Sequence, residues 1–380
     1  MKELTAPNLA TARFGVFVSF LVNGFAFASW VSRIPGVRHR LDLTDAQLGF
    51  ALFGLAIGAL IGFPLAGVLC GRFASRYVTT GFGLGTCAVL ASIPYASNLG
   101  QLTLVVGFFG LTIGAMDVSM NANGVEVETL YGRSIMSSLH GMYSLGGLSG
   151  SLTGLILVKA GVEIVAHLSV IAIILAIACV VSCRMMIGSK PLHNEDHPIF
   201  AIPSKPLVAI GIIVACSYLC EGAMGDWSGV YLRDSLHTTD AFAVSGFVIY
   251  SLMMTLARFT GDRFLTRWGP TRVLRIAGSV AAVGFGLALL VGNPLISLLG
   301  FACVAVGMST VAPIGFSAAG KSKAMRPGAA IAAVSMMGFS GFLVGPPFIG
   351  LLAQATSLRL ALSLIALLAT LIVILAPNAE

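Results

Sequence analysis

The sequence repeats itself at half of its length, and this repeat limits the folds that the chain can adopt. A short basic segment around Arg72 and Arg76 returns around Arg267 and Arg272, with Arg72 and Arg267 standing 195 positions apart in a chain of 380 residues. The same offset relates two further groups, namely Thr44-Asp45 with Thr239-Asp240, and Gly146, Leu148 and Gly150 with Gly341, Leu343 and Gly345. Two similar halves are therefore predicted.

Apolar residues dominate both halves. They make up 57% of the chain, charged residues make up 10%, and the mean hydropathy is +0.95. A water-soluble protein of this composition would lack a polar surface. A membrane-spanning helix needs about 20 apolar residues, and twelve stretches meet this requirement, at about 13–34, 45–70, 77–97, 101–122, 134–158, 162–186, 206–232, 240–264, 272–292, 294–318, 327–354 and 357–376. We predict an all-α membrane protein with twelve transmembrane helices in two pseudo-symmetric six-helix bundles.

The loops predict the domain boundaries and the orientation. Residues 187–205 form the one polar stretch long enough to link two bundles, so the predicted bundles span 1–186 and 206–380. With the N-terminus in the cytoplasm, 16 of the 22 Lys and Arg residues, Arg258 among them, fall on the inner side. Because basic loops stay on the cytoplasmic side, both termini are predicted to be cytoplasmic, in the inner membrane of a bacterium. This topology explains the net charge of +7 without nucleic-acid binding.

Other classes of function find no support in the sequence. No nucleophile with a base at suitable spacing, no phosphate-binding loop and no sizeable soluble domain indicates an enzyme. The seven cysteines lie in or beside the apolar stretches, where they are expected to act as small apolar filler. A candidate metal cluster outside the bilayer, formed by His193, Glu195, Asp196 and His197, is better explained as a solvated linker. We expect no enzymatic activity, no cofactor and no metal site.

The two basic segments resemble a motif of a transporter family. The first reads Gly-Val-Leu-Cys-Gly-Arg-Phe-Ala from Gly67, and the second reads Asp-Arg-Phe-Leu-Thr-Arg-Trp-Gly from Asp262. With twelve spans, a 6+6 repeat and a long middle loop, the whole chain resembles the Major Facilitator Superfamily. The family's turn carries Asp before Arg, where this sequence has Gly71 and Thr266. The resemblance implies a gating motif whose charge relay is weakened or rebuilt, and its residues here would be Arg72, Arg76, Arg267 and Arg272.

Two further segments resemble one bacterial branch of that family. One runs Asp-Val-Ser-Met-Asn-Ala-Asn-Gly-Val-Glu-Val-Glu from Asp117 and is followed by His-Gly-Met-Tyr from His140. The other runs Glu-Gly-Ala-Met-Gly-Asp-Trp from Glu221. They look like the branch that includes the membrane protein MosC and the inner-membrane protein YbjJ, and they are more distantly similar to fucose-type sugar permeases. The resemblance implies a carrier of a small solute and leaves the solute open.

Ionisable residues inside the predicted spans are the candidates for ion coupling, because a charge within the bilayer is costly and is seldom kept without a function. Asp117 lies in the fourth span, and Asn121 follows one turn later on the same helix face. His140 lies in the fifth span, and Glu221 lies past the middle of the seventh. We predict that Asp117, Glu221 and His140 carry protons. Sodium stays an alternative, since Asp117 and Asn121 are also hard oxygen ligands.

Polar and aromatic residues near these positions are candidates for binding the solute. Carboxylates and amides form hydrogen bonds with solute hydroxyl groups, and Trp offers a flat apolar face. The predicted substrate-binding residues are Asn23, Trp30, Asn121, Asn123, Glu126, Tyr143, Asp226 and Trp227. Structural roles stay open for Asp226, which could form a salt bridge in a gate, and for Trp227, which could belong to the interfacial aromatic belt.

These residues favour a secondary transporter that moves a small polar, hydroxyl-rich solute, such as a sugar, polyol or inositol, by proton-coupled alternating access. The alternative is a proton-driven exporter of an amphipathic drug or metabolite, whose cavity the 23 Phe and 14 Met residues could line. A membrane-embedded sensor would instead bind its ligand without transporting it. The expected partners are the small-molecule substrate, protons and membrane lipids, and a monomer is expected. Import and export stay open.

Overall fold

A computed structural model describes residues 9–131, 135–188, 204–322 and 327–379, and within these ranges it contains helices and no strands. The helices are α1 (Leu9–Val31), α2 (Ile34–Arg40), α3 (Asp45–Cys70), α4 (Ser75–Ser92), α5 (Leu99–Tyr131), α6 (Met136–Lys159), α7 (Ile164–Met185), α8 (Lys205–Val230), α9 (Asp240–Val291), α10 (Pro294–Met308), α11 (Val311–Lys321), α12 (Pro327–Ala355) and α13 (Leu358–Leu375). Short 3-10 segments lie at Ile93–Tyr95 and Ala376–Ala379, and a π-helical turn lies at Tyr231–Ser235. In the described ranges, 12 helical spans are long and apolar enough to cross a membrane, which confirms the predicted fold class.

The chain divides into two compact units that differ from the halves of the sequence in one segment. Unit 1 contains Met1–Arg33 and Gly54–Glu195, and unit 2 contains Ile34–Phe53 and Asp196–Glu380. The segment 34–53, which comprises α2 and the first turns of α3, therefore belongs to unit 2 although it lies in the first half of the sequence. Residues 189–203 of the predicted linker, with its candidate metal cluster, lie outside the described residues.

Large apolar side chains cover the outer faces of the helices. Ile156 is 64% exposed, Leu367 is 65% exposed and Leu290 is 76% exposed. Contiguous apolar surface of this kind is unfavourable in water, whereas lipid chains solvate it without cost. The spans and these exposed side chains identify a multi-pass membrane protein.

Glycines allow the helices of each unit to pack closely. Gly146 on α6 lies against the backbone carbonyl of Leu21 on α1, and Gly341 on α12 lies against the carbonyl of Ala215 on α8; an added Cβ would collide in both places. Small residues at such crossings bring helix backbones together in membranes. Gly146 and Gly341 are equivalent in the repeat, so the repeat has kept the same close helix crossing twice.

The helix α5 is longer than the hydropathy predicts. The predicted span ends at residue 122, whereas α5 continues to Tyr131, so the whole segment 117–128 is helical. Glu128 then fixes where α6 begins, because its Oε2 accepts hydrogen bonds from the backbone N–H groups of Ile135 (2.6 Å) and Met136 (2.9 Å). A carboxylate at a helix N-terminus satisfies free backbone donors and opposes the helix dipole.

The second basic segment lies at a sharp bend within one long helix. The helix α9 runs from Asp240 to Val291, with non-helical backbone at Gly269 (φ 75°, ψ 166°). Glycine tolerates this positive φ, and Pro270 begins a new helical direction because it lacks an N–H for the preceding turn. Arg267 and Arg272 are exposed on either side of the bend.

Candidate functional site

Asp117 and Asn121 form a polar pair on α5. Asn121 Nδ2 donates to the backbone carbonyl of Asp117 at 2.9 Å and to its Oδ1 at 3.3 Å. Both side chains are half-buried. Within the described residues, no basic side chain forms an ion pair with Asp117. A carboxyl group with one neutral donor and no counter-charge can exchange a proton or accept a solute hydroxyl without breaking a salt bridge.

Asn123 and Glu126 belong to a second polar group in unit 1, together with Ser75 at the start of α4. Asn123 is completely buried, and its Nδ2 donates to Ser75 Oγ at 2.8 Å and to the carbonyl of Ile187 at 3.2 Å. Ser75 Oγ donates to Glu126 Oε1 at 3.1 Å. These bonds tie α5 to α4 and to the chain after α7. The structure therefore places both predicted solute ligands in contacts between elements of unit 1.

The predicted residues on α1 and α6 have mixed surroundings. Asn23 is 2% exposed, and its Nδ2 donates to the carbonyl of Ile113 on α5 at 3.0 Å. Trp30 is 1% exposed, and its indole N–H has no partner among the described residues. His140 is exposed, with its ring edge-on to Phe20 at 5.3 Å between centroids, and the half-buried Tyr143 packs against the same cluster of apolar residues. Of these residues, His140 offers the most accessible polar group.

Glu221 on α8 forms an ion pair inside unit 2. Its Oε2 accepts a hydrogen bond from Arg258 Nη2 at 3.3 Å, and its Oε1 accepts one from Ser217 Oγ at 3.1 Å. The Glu221 side chain is 16% exposed and that of Arg258 is 33% exposed. Both residues lie within candidate membrane spans, where a charge is costly unless it is paired. The pair thus holds two opposite charges on α8 and α9, and a proton on Glu221 would neutralise one of them.

Arg258 is not among the residues predicted for the site. Its position was counted with the inner basic residues, yet the span Asp240–Gly261 contains it and it faces Glu221. The signal was available, because Arg258 falls inside the predicted span 240–264 and an intramembrane Arg needs an acidic partner.

Asp226 and Trp227 follow Glu221 on α8. Asp226 is half-buried, and among the described residues it forms no ion pair. Trp227 is completely buried, and its indole N–H lacks a partner in the same part of the chain. Asp226 thus presents a carboxylate without a counter-charge, whereas the Trp227 ring has no free face in this structure.

The intramembrane charges are not duplicated, in contrast to the glycines. At the offset of 195 residues, apolar side chains stand in the other half opposite Asp117, Glu221, Asp226 and Arg258, namely Ala312, Ala26, Val31 and Phe63. The repeat has therefore kept its packing positions in both halves and has placed each of these charges in one half only. Such divergence is expected where function rather than packing selects the residue.

Of the predicted gating residues of the first basic segment, Arg72 lies between α3 and α4, and Arg76 lies in the first turn of α4. Arg72 is exposed, and Arg76 donates to the hydroxyl of Tyr77 at 2.6 Å with its guanidinium 4.5 Å from the centre of the Tyr77 ring. Arg76 also lies against Gly188, where an added Cβ would meet the guanidinium. Across the described ranges, no group of three or more His, Cys, Asp or Glu residues is arranged to hold a metal ion.

Comparison with known sequences gives one family. The family model described as Major Facilitator Superfamily matches residues 14–326. An uncharacterized MFS-type transporter of Yersinia pestis is 31% identical over 352 residues, which cover 92% of this chain and 91% of that protein. The membrane protein MosC of Rhizobium meliloti is 32% identical over 362 residues, which cover 94% of this chain and 88% of MosC.

Comparison with solved structures supports the fold. A mutant of the nucleoside transporter NupG superposes with a TM-score of 0.77 at 15% identity, covering 98% of this chain and 99% of that chain. A bacterial homolog of the human lysosomal transporter Spinster, in an inward-facing and unoccupied conformation, superposes with a TM-score of 0.70 at 12% identity, covering 98% and 96%. At these identities the likeness concerns the fold alone.

Proposed function

This chain belongs to the Major Facilitator Superfamily, and we propose that it is a proton-coupled carrier of a small, hydroxyl-rich solute. The observation that carries the proposal is the ion pair between Glu221 and Arg258 inside two spans, with Ser217 donating to the same carboxylate. A proton on Glu221 removes the negative charge that holds Arg258. Proton binding at this position therefore changes which donors and acceptors face a solute.

Proton coupling would arise because the charged and the protonated form of Glu221 interact with Arg258 with different energies. When Glu221 is charged, its oxygens accept hydrogen bonds from Arg258 and Ser217. When Glu221 is protonated, the attraction between its carboxylate and the guanidinium of Arg258 is lost. A ligand shifts a conformational equilibrium by its differential affinity for the two states. Proton and solute thereby influence each other's binding through one side chain, which is the requirement for coupled transport.

Asp117 is proposed as a second coupling or binding carboxyl. It has one amide donor, Asn121, and no ion-pair partner among the described residues. An unpaired carboxylate in a span is costly, so its energy depends strongly on a proton or on a solute hydroxyl. We propose that Asp117 and Asn121 contribute acceptors and donors to the solute from unit 1.

The proposed solute class follows from the kind of polar groups. Carboxylate, amide, hydroxyl and guanidinium groups suit a neutral solute with several hydroxyls, such as a sugar, polyol or inositol. Nucleosides carry ribose hydroxyls as well, and NupG, which has the same fold, is a nucleoside transporter by name.

The test is a binding screen with purified protein in nanodiscs. Sugars, polyols, inositols, nucleosides and lipophilic cationic dyes are compared by the shift in melting temperature, because a ligand that binds the native state stabilises it. We expect a hydroxylated solute to stabilise the parent protein and to lose this effect in Glu221→Gln, with Arg275→Gln as a matched control at a residue outside the proposed site. Stabilisation by lipophilic cations alone would contradict the proposal and favour the exporter.

We also propose that the protein is a monomer of the bacterial inner membrane with both termini in the cytoplasm. The excess of Lys and Arg in the predicted inner loops supports this orientation. Fusions of alkaline phosphatase and green fluorescent protein to the C-terminus test it, because the first is active only outside the cytoplasm and the second fluoresces inside. A phosphatase-active, non-fluorescent C-terminus would overturn the orientation.

A further inference from the structure

Three exposed arginines surround the bend in α9. Arg263 and Arg267 precede the bend at Gly269, and Arg272 follows it. Within the described residues, none of the three forms an ion pair. The chain around them offers little acidic charge, because Asp262 is the only Asp or Glu between positions 241 and 379. The bend therefore carries an excess of positive charge that its own part of the chain does not neutralise.

Two aromatic rings stand beside these charges. Phe264 and Trp268 are one helical turn apart, and their ring centres are 5.1 Å apart. Both side chains are exposed, Phe264 by 46% and Trp268 by 39%. A Trp ring combines an apolar body with a polar N–H group, and it favours the level of a membrane where headgroups meet acyl chains. The rings and the arginines together are typical of a protein surface at this level.

Apolar side chains continue the same faces of α9 into the membrane. Phe259 stands four residues before Arg263, and Leu256 stands eight residues before Phe264; both are exposed. Residues four apart lie on one face of a helix. The candidate span Asp240–Gly261 contains Leu256 and Phe259, and the next candidate span begins at Arg263. Along this face, apolar surface is followed by aromatic rings and then by positive charge, which matches a phospholipid from its acyl chains to its phosphate.

We propose that Arg263, Phe264, Arg267, Trp268 and Arg272 bind an anionic phospholipid. We call these five residues the bend site. Its guanidinium groups bind the headgroup phosphate through paired hydrogen bonds, and its rings contact the glycerol and the upper acyl chains. A negatively charged headgroup, such as that of phosphatidylglycerol, is preferred to a zwitterionic one because of the excess positive charge. This inference does not depend on the identity of the solute, on proton coupling or on the orientation of the termini.

Trp268 is an intrinsic reporter for the experiment. Of the three Trp residues in the chain, Trp30 and Trp227 are 1% and 0% exposed, whereas Trp268 is 39% exposed. The purified protein is reconstituted into vesicles of equal amounts of phosphatidylglycerol and phosphatidylcholine. The acyl chains of one lipid or of the other carry bromine, which quenches Trp fluorescence on contact. After subtraction of the quenching that remains in Trp268→Phe, the ratio of the two quenching values gives the preference for phosphatidylglycerol.

We expect the parent protein to prefer phosphatidylglycerol about fivefold, the factor that roughly one basic residue contributes near an anionic surface. The triple variant Arg263→Gln, Arg267→Gln and Arg272→Gln should lower this preference to about one. Replacement of the same three arginines by Lys should keep it, because the attraction depends on charge. Arg184→Gln, at an exposed position of unit 1, should leave it unchanged.

Salt gives a test that needs no variant to fold. Sodium chloride should lower the preference in the parent protein, because salt screens exposed charges, and phosphate at the same ionic strength should lower it no further. Equal quenching by the two brominated lipids in the parent, or the same preference in the parent and the Gln variant, would overturn the proposal. An equal loss in the Lys and Gln variants would contradict attraction by charge. A larger effect of phosphate than of chloride would assign the arginines to a free anion and exclude the lipid.

Discussion

Replacement of Arg258 by Met should destabilise the protein, and the loss should be partly recovered when Glu221 is replaced as well. Arg258→Met keeps an unbranched apolar stem and removes the guanidinium that neutralises Glu221 at 3.3 Å. Glu221 then keeps the hydroxyl of Ser217 as a donor. An isolated carboxylate in a span is unfavourable. Glu221→Gln removes this carboxylate, so the double variant should be more stable than the sum of the two single effects predicts.

The magnitude follows from the exposure of the pair. Breaking a fully buried pair costs about 3–5 kcal/mol, and a surface pair contributes about 0.2–1 kcal/mol. With Glu221 16% exposed and Arg258 33% exposed, the pair lies between these limits. We expect a coupling free energy of about 1.5 kcal/mol between the two positions.

The assay is a double-mutant cycle in which reversible unfolding in mixed micelles is monitored by thiol labelling. The buried Cys216 and Cys220 of α8 report unfolding without introduced probes. The cycle isolates the pair because contacts that each substitution removes elsewhere cancel. A coupling free energy near zero would refute the view that Arg258 and Glu221 form an energetically significant pair.

Three further substitutions test the coupling role of Asp117, the helix packing at Gly24 and the cap of α6. Asp117→Asn should abolish accumulation of solute against a gradient and keep exchange at equal concentrations, as measured with labelled solute in proteoliposomes; retained accumulation would exclude Asp117 from coupling. Gly24→Ala should lower the melting temperature because its Cβ would collide with the carbonyl of Tyr143, whereas Gly147→Ala, with nothing within 4 Å, should not; equal effects would contradict the packing argument. Glu128→Gln should lower the free energy of unfolding by about 1 kcal/mol, through loss of the charged cap of α6, and an unchanged value would exclude that role.

Hydropathy and the repeat predicted the membrane fold because both depend on local composition and on chain period. Twelve apolar stretches must become helices in lipid, since a helix satisfies its own backbone. The extent of α5 was underestimated for a related reason. Asn123 and Glu126 lower the hydropathy. Inside the fold, Ser75 and the carbonyl of Ile187 accept hydrogen bonds from Asn123 Nδ2, and Ser75 donates to Glu126, and these partners cannot be read along the chain.

The candidate site was predicted less completely, because its geometry depends on contacts between distant residues. Asp117 and Asn121 were recognisable from a spacing of one helical turn. The partnership of Glu221 with Arg258 spans 37 residues, and the bond from Asn23 to Ile113 spans 90. The contacts of Arg38 and His39 with Asp234 span 196 and 195 residues.

Proton movement during solute transport is the direct test of proton-coupled transport by this protein. Purified protein is placed in sealed, sodium-free vesicles that contain a pH-sensitive dye, and a hydroxylated solute that stabilises the protein is added on one side. We predict a solute-dependent pH change inside the parent vesicles, abolished by a protonophore and absent in Glu221→Gln. Solute transport of normal rate with no accompanying pH change in the parent protein would contradict proton coupling.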